Sequence, residues 1–398
     1  MNIGILSLYY DNANYGGQLQ AFAMQHILEQ TGNDAEQICL VEKPLERIGK
    51  KQLVLDLLRG KIRLFEKIKR RILIKIKSFF MSKKNITKSK FADFANNIPH
   101  SEKVYNVDIV GELNDKYDMF VFGSDIIWNP MVNSYRQSSL TWTYFGDFTD
   151  KPKVSYAASF GGKNIPEDFL IKAVKYLNSF SAISVREKSA KRIIESHSEL
   201  KVKAVLDPTM LVDYAVWNGF IRNDNEYGNY VFAYILSGRT ESRNIARLTA
   251  QKFNIKLVTV PFVGDFNFHD LRFGDEQLNS LSMSDFLNRI KHTKCVVSDS
   301  FHAIVFSIIF NVEFVALLRS SELDKGENNS RIKDLLKLFS CEDRLVTKSC
   351  NYKEVLKNRL DYDKINLILK KNRGECVKWI NAAIQKCDHA IGEGESIF

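Results

Sequence analysis

The sequence has few cysteines, and none of them are paired. Its six cysteines, Cys39, Cys295, Cys341, Cys350, Cys376 and Cys387, form no C-x-x-C motif. That spacing predicts neither a disulfide framework nor a zinc site, and it is typical of a protein in a reducing cytosol. We therefore expect a cytoplasmic protein with no metal ion.

Long hydrophobic runs are also missing. No segment reaches the roughly 18 apolar residues that a membrane span needs. The first residues, MNIGILSLYYDNANYGG, read directly as a strand and lack the basic start and cleavage site of a signal peptide. The glycines after this strand, Gly16 and Gly17, match neither GxGxxG nor a Walker A motif, so nothing supports a dinucleotide or nucleoside triphosphate site.

The chain has 398 residues, of which 45% are hydrophobic and 26% charged. This is the composition of a globular protein, and the length predicts about two domains.

The net charge of +10 is concentrated in one segment. Residues 47–90 contain sixteen Lys or Arg and only two acids, Asp56 and Glu66, so this segment carries +14 and the rest about −4. Apolar residues recur every three or four positions between Leu58 and Phe79, which predicts a basic amphipathic helix or two. Such a helix either lies on an anionic membrane surface or packs its apolar face on the domain. We expect no nucleic-acid partner, because few aromatics alternate with the charges and no binding motif is present.

The central motif of the chain is the stretch from Cys295 to Leu318. A short apolar strand turns through Ser298-Asp299-Ser300 into an apolar helix that runs to about Phe310, and a second buried strand follows. This strand-turn-helix-strand unit is the building block of a parallel α/β sheet, and its turn is where such sheets bind ligands.

Other predicted strands also end in polar residues. Ser124 and Asp125 follow the strand 117–122, Arg186 follows the strand 182–185, and Asp207 follows the strand 204–206. These ends should converge on one edge of a sheet. Asp207 and Thr209 could equally do no more than cap the next helix.

The strand-helix rhythm restarts after a polar linker at 221–229. We predict an N-terminal Rossmann-like domain over 1–222 with the basic insertion 47–90, a C-terminal Rossmann-like domain over 229–362, and a C-terminal helix and tail over 363–398. The fold class is therefore α/β, with two Rossmann-like domains and a cleft between them.

Six segments occur in the order NYGGQLQAFAMQ, VFGSDIIWN, YAASFG, SVREKSA, VLDPTML and VSDSFHAIVFSIIF. Together they resemble the polysaccharide pyruvyl transferase family over roughly residues 3 to 340. The resemblance implies a glycosyltransferase-B-like fold and transfer of pyruvate from phosphoenolpyruvate onto a sugar as a cyclic ketal. It implies phosphoenolpyruvate as co-substrate, no cofactor, and an acceptor that belongs to a lipid-linked or polymeric sugar. The first domain would then hold the acceptor and the second the donor.

The resemblance also implies roles for single residues. His302 would be the acid/base residue, Arg186 would contact the donor, and Asp299 would orient His302, activate a hydroxyl or only satisfy the N–H groups of its turn. Some family members have arginine and leucine before the motif histidine, where this chain has Ser300 and Phe301. We expect Arg331 to replace the missing cation. The donor set is Arg186, Ser300, Phe301, His302, Ser330 and Arg331.

The expected acceptor set combines small and amphipathic residues of the first domain, whose faces stack on pyranose rings or whose polar atoms meet hydroxyls. Its members are Asn14, Tyr15, Gly17, Gln18, Ser124, Asp125 and Trp128. Trp128 could equally pack in the core.

The main alternative is a nucleotide-sugar glycosyltransferase of the same architecture, with Glu322, Asp324 or Glu327 as candidates to bind a ribose. A different class is a non-catalytic carbohydrate- or membrane-binding protein. The presence of both Arg186 and His302 argues against that class.

Overall fold

The computed structural model describes residues 1–12, 14–42, 89–130, 138–221, 229–261, 268–279, 281–320, 329–346 and 355–392. Of the predicted basic insertion 47–90, only residues 89 and 90 fall among them. Glu322, Asp324 and Glu327 lie outside the described residues as well. Within the described part of the chain, no helix is both long and apolar enough to cross a membrane.

The first half of the chain builds one parallel sheet with the strand order β2-β1-β3-β4-β5-β6. Buried apolar side chains occupy nearly every position of its central strands, because helices cover both faces of a parallel sheet. Its strands are β1 (Asn2–Leu6), β2 (Asp34–Gln37), β3 (Met119–Phe122), β4 (Lys153–Ala158), β5 (Ala182–Val185) and β6 (Val202–Ala204).

The second half builds another parallel sheet, in the order β12-β11-β10-β7-β8-β9. Its central strand pairs in register with both neighbours, Val296 opposite Phe232 on one side and Phe314 on the other. Its strands are β7 (Tyr230–Tyr234), β8 (Lys256–Thr259), β9 (Glu276–Gln277), β10 (Cys295–Ser298), β11 (Phe314–Leu317) and β12 (Leu345–Val346).

Helices connect the strands of both sheets. They are α1 (Tyr15–Gln30), α2 (Glu167–Leu177), α3 (Lys188–Glu195), α4 (Tyr214–Gly219), α5 (Thr240–Phe253), α6 (Met283–His292), α7 (Phe301–Ile309), α8 (Ser330–Leu338) and α9 (Tyr362–Gly392). The most apolar of them is α7, and all nine of its residues are buried.

Helices α1 and α9 both contribute contacts between the domains. Tyr15, the first residue of α1, packs against the second domain, and its ring stacks on Phe286 with 4.1 Å between the ring centroids. Helix α9 follows the second sheet but packs on the first domain, where Arg373 Nε donates to the Met210 carbonyl at 2.8 Å and Cys376 Sγ accepts from the Leu206 N–H at 3.3 Å. Both contacts lie beside the carboxyl ends of the strands, so they hold the two ligand-binding edges face to face.

Candidate functional site

Three polar side chains meet at the carboxyl edge of the first sheet. Arg186 directly follows β5, and its Nη1 donates to Asp207 Oδ2 at 2.9 Å, beyond the end of β6. Its Nη2 donates to Asp125 Oδ1 at 3.3 Å, beyond the end of β3. All three side chains are buried. The strand ends therefore converge as the sequence predicts.

Both carboxylate oxygens of Asp207 accept hydrogen bonds in this cluster. One carboxylate oxygen, Oδ1, accepts from the Thr209 N–H at 3.1 Å, which is the helix-cap contact expected from sequence. The other, Oδ2, accepts from Arg186 and from Ser124 Oγ at 3.2 Å. Burial alone would raise the pKa of Asp207, but the positive charges of His302 and Arg186 and the hydrogen bond from Thr209 hold it well below the ordinary value.

His302 of the second domain lies next to Asp207. It is the second residue of α7, and its Nε2 lies 3.4 Å from Asp207 Oδ2. The imidazole is buried, with 6% of the residue exposed. The site is therefore assembled from both domains, with the arginine and the histidine next to the same carboxylate oxygen.

Asp299 does not contribute to this arrangement. Its two carboxylate oxygens accept from the backbone N–H groups of Leu236 at 2.7 Å and Ser237 at 2.9 Å, at the end of β7. Of the roles considered for Asp299, the structure supports backbone satisfaction, and it assigns the contact with His302 to Asp207. The sequence predicted that Asp207 lies at the shared edge but left open whether it only caps the next helix, because a cap uses one carboxylate oxygen and does not indicate what the other binds.

His302 packs against the start of α1, and it fits there because residue 16 is a glycine. A Cβ added to Gly16 would lie 1.9 Å from His302 Nδ1, so a side chain here would overlap the imidazole. Asn14 precedes it and caps the helix, since its Oδ1 accepts from the Gly16 N–H at 3.0 Å. Gly17 lies close to the chain instead, because a Cβ there would meet the Leu8 carbonyl oxygen at 2.8 Å.

Phe301 of the second domain and Arg186 of the first form a further contact between the domains. The Arg186 guanidinium carbon lies 4.4 Å from the centroid of the Phe301 ring, in a cation–π arrangement. Phe301 thus fixes the arginine in place from the second domain. Ser300, the preceding residue, begins α7 and donates its N–H to Ser298 Oγ at 3.0 Å.

Arg331 brings a second arginine to the cluster. It lies in the first turn of α8, with Nη1 3.7 Å from Asp125 Oδ1. Burial and the charges of Arg186 and Arg319 lower the pKa of Arg331 to about 9. The cluster therefore holds a buried cation whose charge is not fully balanced.

Arg319 is a cation that sequence reasoning missed. It follows β11, and Asn329 Oδ1 accepts from its N–H at 2.9 Å and from the Ser320 N–H at 3.3 Å. The fully buried Asn329 thereby ties the end of β11 to the start of α8. The position of Arg319 at a strand end is the signal that would have found it.

The expected acceptor residues divide into three groups. Ser124 and Asp125 lie in the cluster, and Asp125 adopts a left-handed backbone with φ of 64°, which is costly for most residues and often found at functional sites. Tyr15 lies in the domain interface, where its hydroxyl donates to the Leu281 carbonyl at 3.0 Å. Gln18 is buried behind the start of α1, with its amide 3.4 Å from the Asn12 carbonyl.

Trp128 belongs to the core of the first domain. It is fully buried, its ring stacks on Phe145 at 5.1 Å, and its Nε1 donates to the Tyr144 carbonyl at 2.9 Å. No face of the ring is free for a sugar. The structure thus supports the core alternative for this residue.

The arrangement combines an imidazole that can move a proton with two buried guanidinium groups that can bind an anion. Beside it lies a pocket of about 180 Å³, lined in part by Arg186, Phe301 and Arg331. A small anionic molecule held at the two arginines would lie at the contact between the two domains.

Two parallel sheets whose carboxyl edges share one polar cluster define a two-domain α/β protein of the glycosyltransferase-B type. The chain belongs to the polysaccharide pyruvyl transferase family, because the profile of that family matches residues 14–321, most of the chain. A search of curated proteins found no match.

Solved structures agree with this fold over nearly the whole chain. A UDP-N-acetylglucosamine 2-epimerase from Rickettsia bellii is 10% identical and has a TM-score of 0.55, with 98% of this chain and 97% of that chain covered. The same type of enzyme from Neisseria meningitidis, solved bound to UDP-GlcNAc, is 9% identical with a TM-score of 0.51, covering 97% and 100%. A putative epimerase from Listeria monocytogenes is 11% identical with a TM-score of 0.51, covering 96% and 95%. At these identities the likeness shows the fold alone.

Proposed function

We propose that this protein transfers pyruvate from phosphoenolpyruvate onto two hydroxyls of a sugar as a cyclic ketal. The observation that carries the proposal is the buried cluster in which Arg186, Arg331 and His302 surround the carboxylates of Asp125 and Asp207. Membership of the polysaccharide pyruvyl transferase family supports the same reaction class.

The donor needs positive charge, because it carries a phosphate and a carboxylate. Arg331 would provide it through its terminal nitrogens, since its guanidinium is buried and Nη1 lies 3.7 Å from Asp125 Oδ1, beyond hydrogen-bond distance. An anion bound there would remove the penalty that lowers its pKa. Arg186 would hold the second anionic group, while Phe301 keeps it in place.

His302 would supply the proton. In the proposed reaction the protonated imidazole of His302 gives a proton to the methylene carbon of the donor, and the electrons of the carbon–carbon double bond form the new C–H bond. The adjacent carbon becomes oxocarbenium-like, one sugar hydroxyl attacks it, and the proton of that hydroxyl returns to the imidazole. The second hydroxyl then closes the ring as the bond to the phosphate oxygen breaks, and its proton leaves with the phosphate, so the products are the ketal and inorganic phosphate. Asp207 would hold the ring in position for this transfer and stabilise its charged form.

The test is release of inorganic phosphate that requires both phosphoenolpyruvate and a sugar acceptor. His302→Gln should abolish turnover while the melting temperature stays close to that of the wild type, and Asp388→Asn, an exposed change on α9, should leave both unchanged. Thermal stabilisation by phosphoenolpyruvate, against a panel of nucleotide sugars, separates this function from a nucleotide-sugar glycosyltransferase. Stabilisation by a nucleotide sugar and none by phosphoenolpyruvate would reject the proposal.

We further propose that the acceptor is a galactose-type or related sugar of a lipid-linked surface-polysaccharide intermediate and that the enzyme works at the inner face of the membrane. The support is the charge of +14 over residues 47–90 and their amphipathic spacing. Binding to vesicles that contain anionic lipid should weaken as salt is added. Vesicle binding that survives deletion of 47–90 would contradict this part of the proposal.

A further inference from the structure

We infer that the pocket between α3, α8 and α9 is a binding site for a neutral sugar, and that it holds the acceptor at Glu187 and Asp334. The inference rests on the proposed function and replaces most of the acceptor residues expected from sequence. Arg186, Phe301 and Asn372 of α9 are among the residues that line the pocket. His302 does not line it, so an occupant would approach the cluster from the side of the arginines.

The residues that line the pocket carry both donor and acceptor atoms that have no hydrogen-bond partner among the described residues. Two are acceptors, Oε2 of Glu187 and Oδ2 of Asp334, and two are donors, Nε of Arg186 and Nε of Arg331. All four atoms are buried and have no hydrogen-bond partner among the described residues. A buried hydrogen-bonding atom without a partner is destabilising, so a ligand that pairs with these atoms would gain binding energy.

Glu187 is the strongest of these indications. Only 1% of the residue is exposed, and Oε1 is already satisfied by Ser159 Oγ at 2.9 Å and the Gly161 N–H at 3.3 Å. Its Oε2 lies 4.0 Å from Arg186 Nε, which is too far for a hydrogen bond. One oxygen is thus held rigidly while the other is left for a partner.

The mixture of donors and acceptors favours hydroxyl groups. A hydroxyl both donates and accepts, so adjacent hydroxyls of one sugar ring can pair with the carboxylate oxygens and the guanidinium nitrogens together. The charged residues that line the pocket balance, since four are basic (Arg186, Lys188, Lys203 and Arg331) and four are acidic (Glu187, Asp207, Asp334 and Glu375), which favours a neutral ligand over a second anion. Leu335, Leu338 and Met210 supply apolar surface for the carbon face of the ring.

The position suits the reaction. Arg186 and Arg331 line this pocket and also belong to the cluster with His302, so a sugar here would lie next to a donor bound at the arginines.

The test compares thermal stabilisation by phosphoenolpyruvate with stabilisation by methyl glycosides of galactose, glucose, mannose and N-acetylglucosamine, all at millimolar concentration. We expect at least one glycoside to stabilise the wild type and none to stabilise Glu187→Gln or Asp334→Ala, while phosphoenolpyruvate still stabilises both variants. In the phosphate-release assay, these variants should raise the KM for the sugar about tenfold and leave the KM for phosphoenolpyruvate unchanged. Asp334→Asn serves as an isosteric variant should the alanine variant fold poorly, and Asp388→Asn is the control outside the pocket.

Three results would overturn the inference: no stabilisation of the wild type by any glycoside, retained glycoside stabilisation in both variants, or loss of phosphoenolpyruvate stabilisation in the variants. Failure of the proposed function looks different. In that case phosphoenolpyruvate does not stabilise the wild type, whatever the glycosides do.

Discussion

A single oxygen, Oδ2 of Asp207, lies 3.4 Å from His302 Nε2 and thereby connects the second domain to the first. The same oxygen accepts a hydrogen bond from Arg186 at 2.9 Å. Removing one partner of a buried ion pair costs about 3 to 5 kcal/mol, because it leaves the other charge uncompensated. The geometry of both proposed catalytic side chains therefore depends on this carboxylate.

Asp207→Asn should lower kcat by about 100-fold and reduce the melting temperature, because Arg186 and His302 lose the charge that positions them. Steady-state phosphate release and thermal melts measure the two effects. If Asp207 positions His302, the pH profile of kcat should also change in this variant. A purely structural loss would leave that profile unchanged.

Asp299→Asn is the matched comparison, at a strand end of the second sheet. It should lower stability by about 1 to 2 kcal/mol, because an amide offers one acceptor oxygen to two backbone N–H groups. Its kcat should stay close to that of the wild type. Equal losses of kcat in the Asp299 and Asp207 variants would contradict the assignment.

Gly16→Ala should abolish activity without unfolding the protein. The new methyl group would overlap His302 Nδ1, and the imidazole must move away from Asp207. Gly111→Ala is the control, because a Cβ at that position has nothing within 4 Å. A crystal structure or an activity assay of the variant that finds His302 unmoved and active would refute the packing argument.

Arg331→Gln should remove stabilisation by phosphoenolpyruvate while the unliganded protein melts no lower than the wild type. The reason is that the buried guanidinium is costly without an anion, as its pKa of about 9 indicates. Calorimetric titration with phosphoenolpyruvate and melts without ligand check both halves. Unchanged donor affinity would remove Arg331 from the donor site.

Glu187→Gln should flatten the dependence of stability on pH. Burial raises the pKa of Glu187 above its ordinary 4.5, although Arg186 and Arg331 oppose the shift. The favourable contribution of the neutral form is complete below 4.5 and is lost as the pH rises through the higher pKa of the folded protein. The melting temperature of the variant relative to the wild type should therefore be higher at pH 8 than at pH 5. An equal difference at both values would contradict this account.

Regular elements could be read from the sequence because local patterns encode them. The predicted strand that starts at Cys295 and the predicted helix to about Phe310 appear as β10, Cys295–Ser298, and α7, Phe301–Ile309. The predicted helix that ends near Gln30 is α1, Tyr15–Gln30. In each case the hydrophobic period and the flanking polar residues are contained in the segment itself.

The site could be predicted only where a residue's position on its own strand decided its place. Arg186 and His302 follow strand ends, and both lie in the cluster. The partners of Trp128 and Tyr15 could not be read in the same way, because an amphipathic ring suits a core, an interface or a binding face equally well. Tyr15 stacks on Phe286, far away in sequence, and no local pattern records that contact.

Helix α9 also limits how the two domains can move. It starts where the Tyr362 hydroxyl donates to the Val312 carbonyl in the second domain, and near its end Lys386 Nζ donates to the Ser181 carbonyl in the first at 3.3 Å. The helix therefore ties the end of the second domain to the first. Any movement that separates the two domains would have to break one of these two contacts.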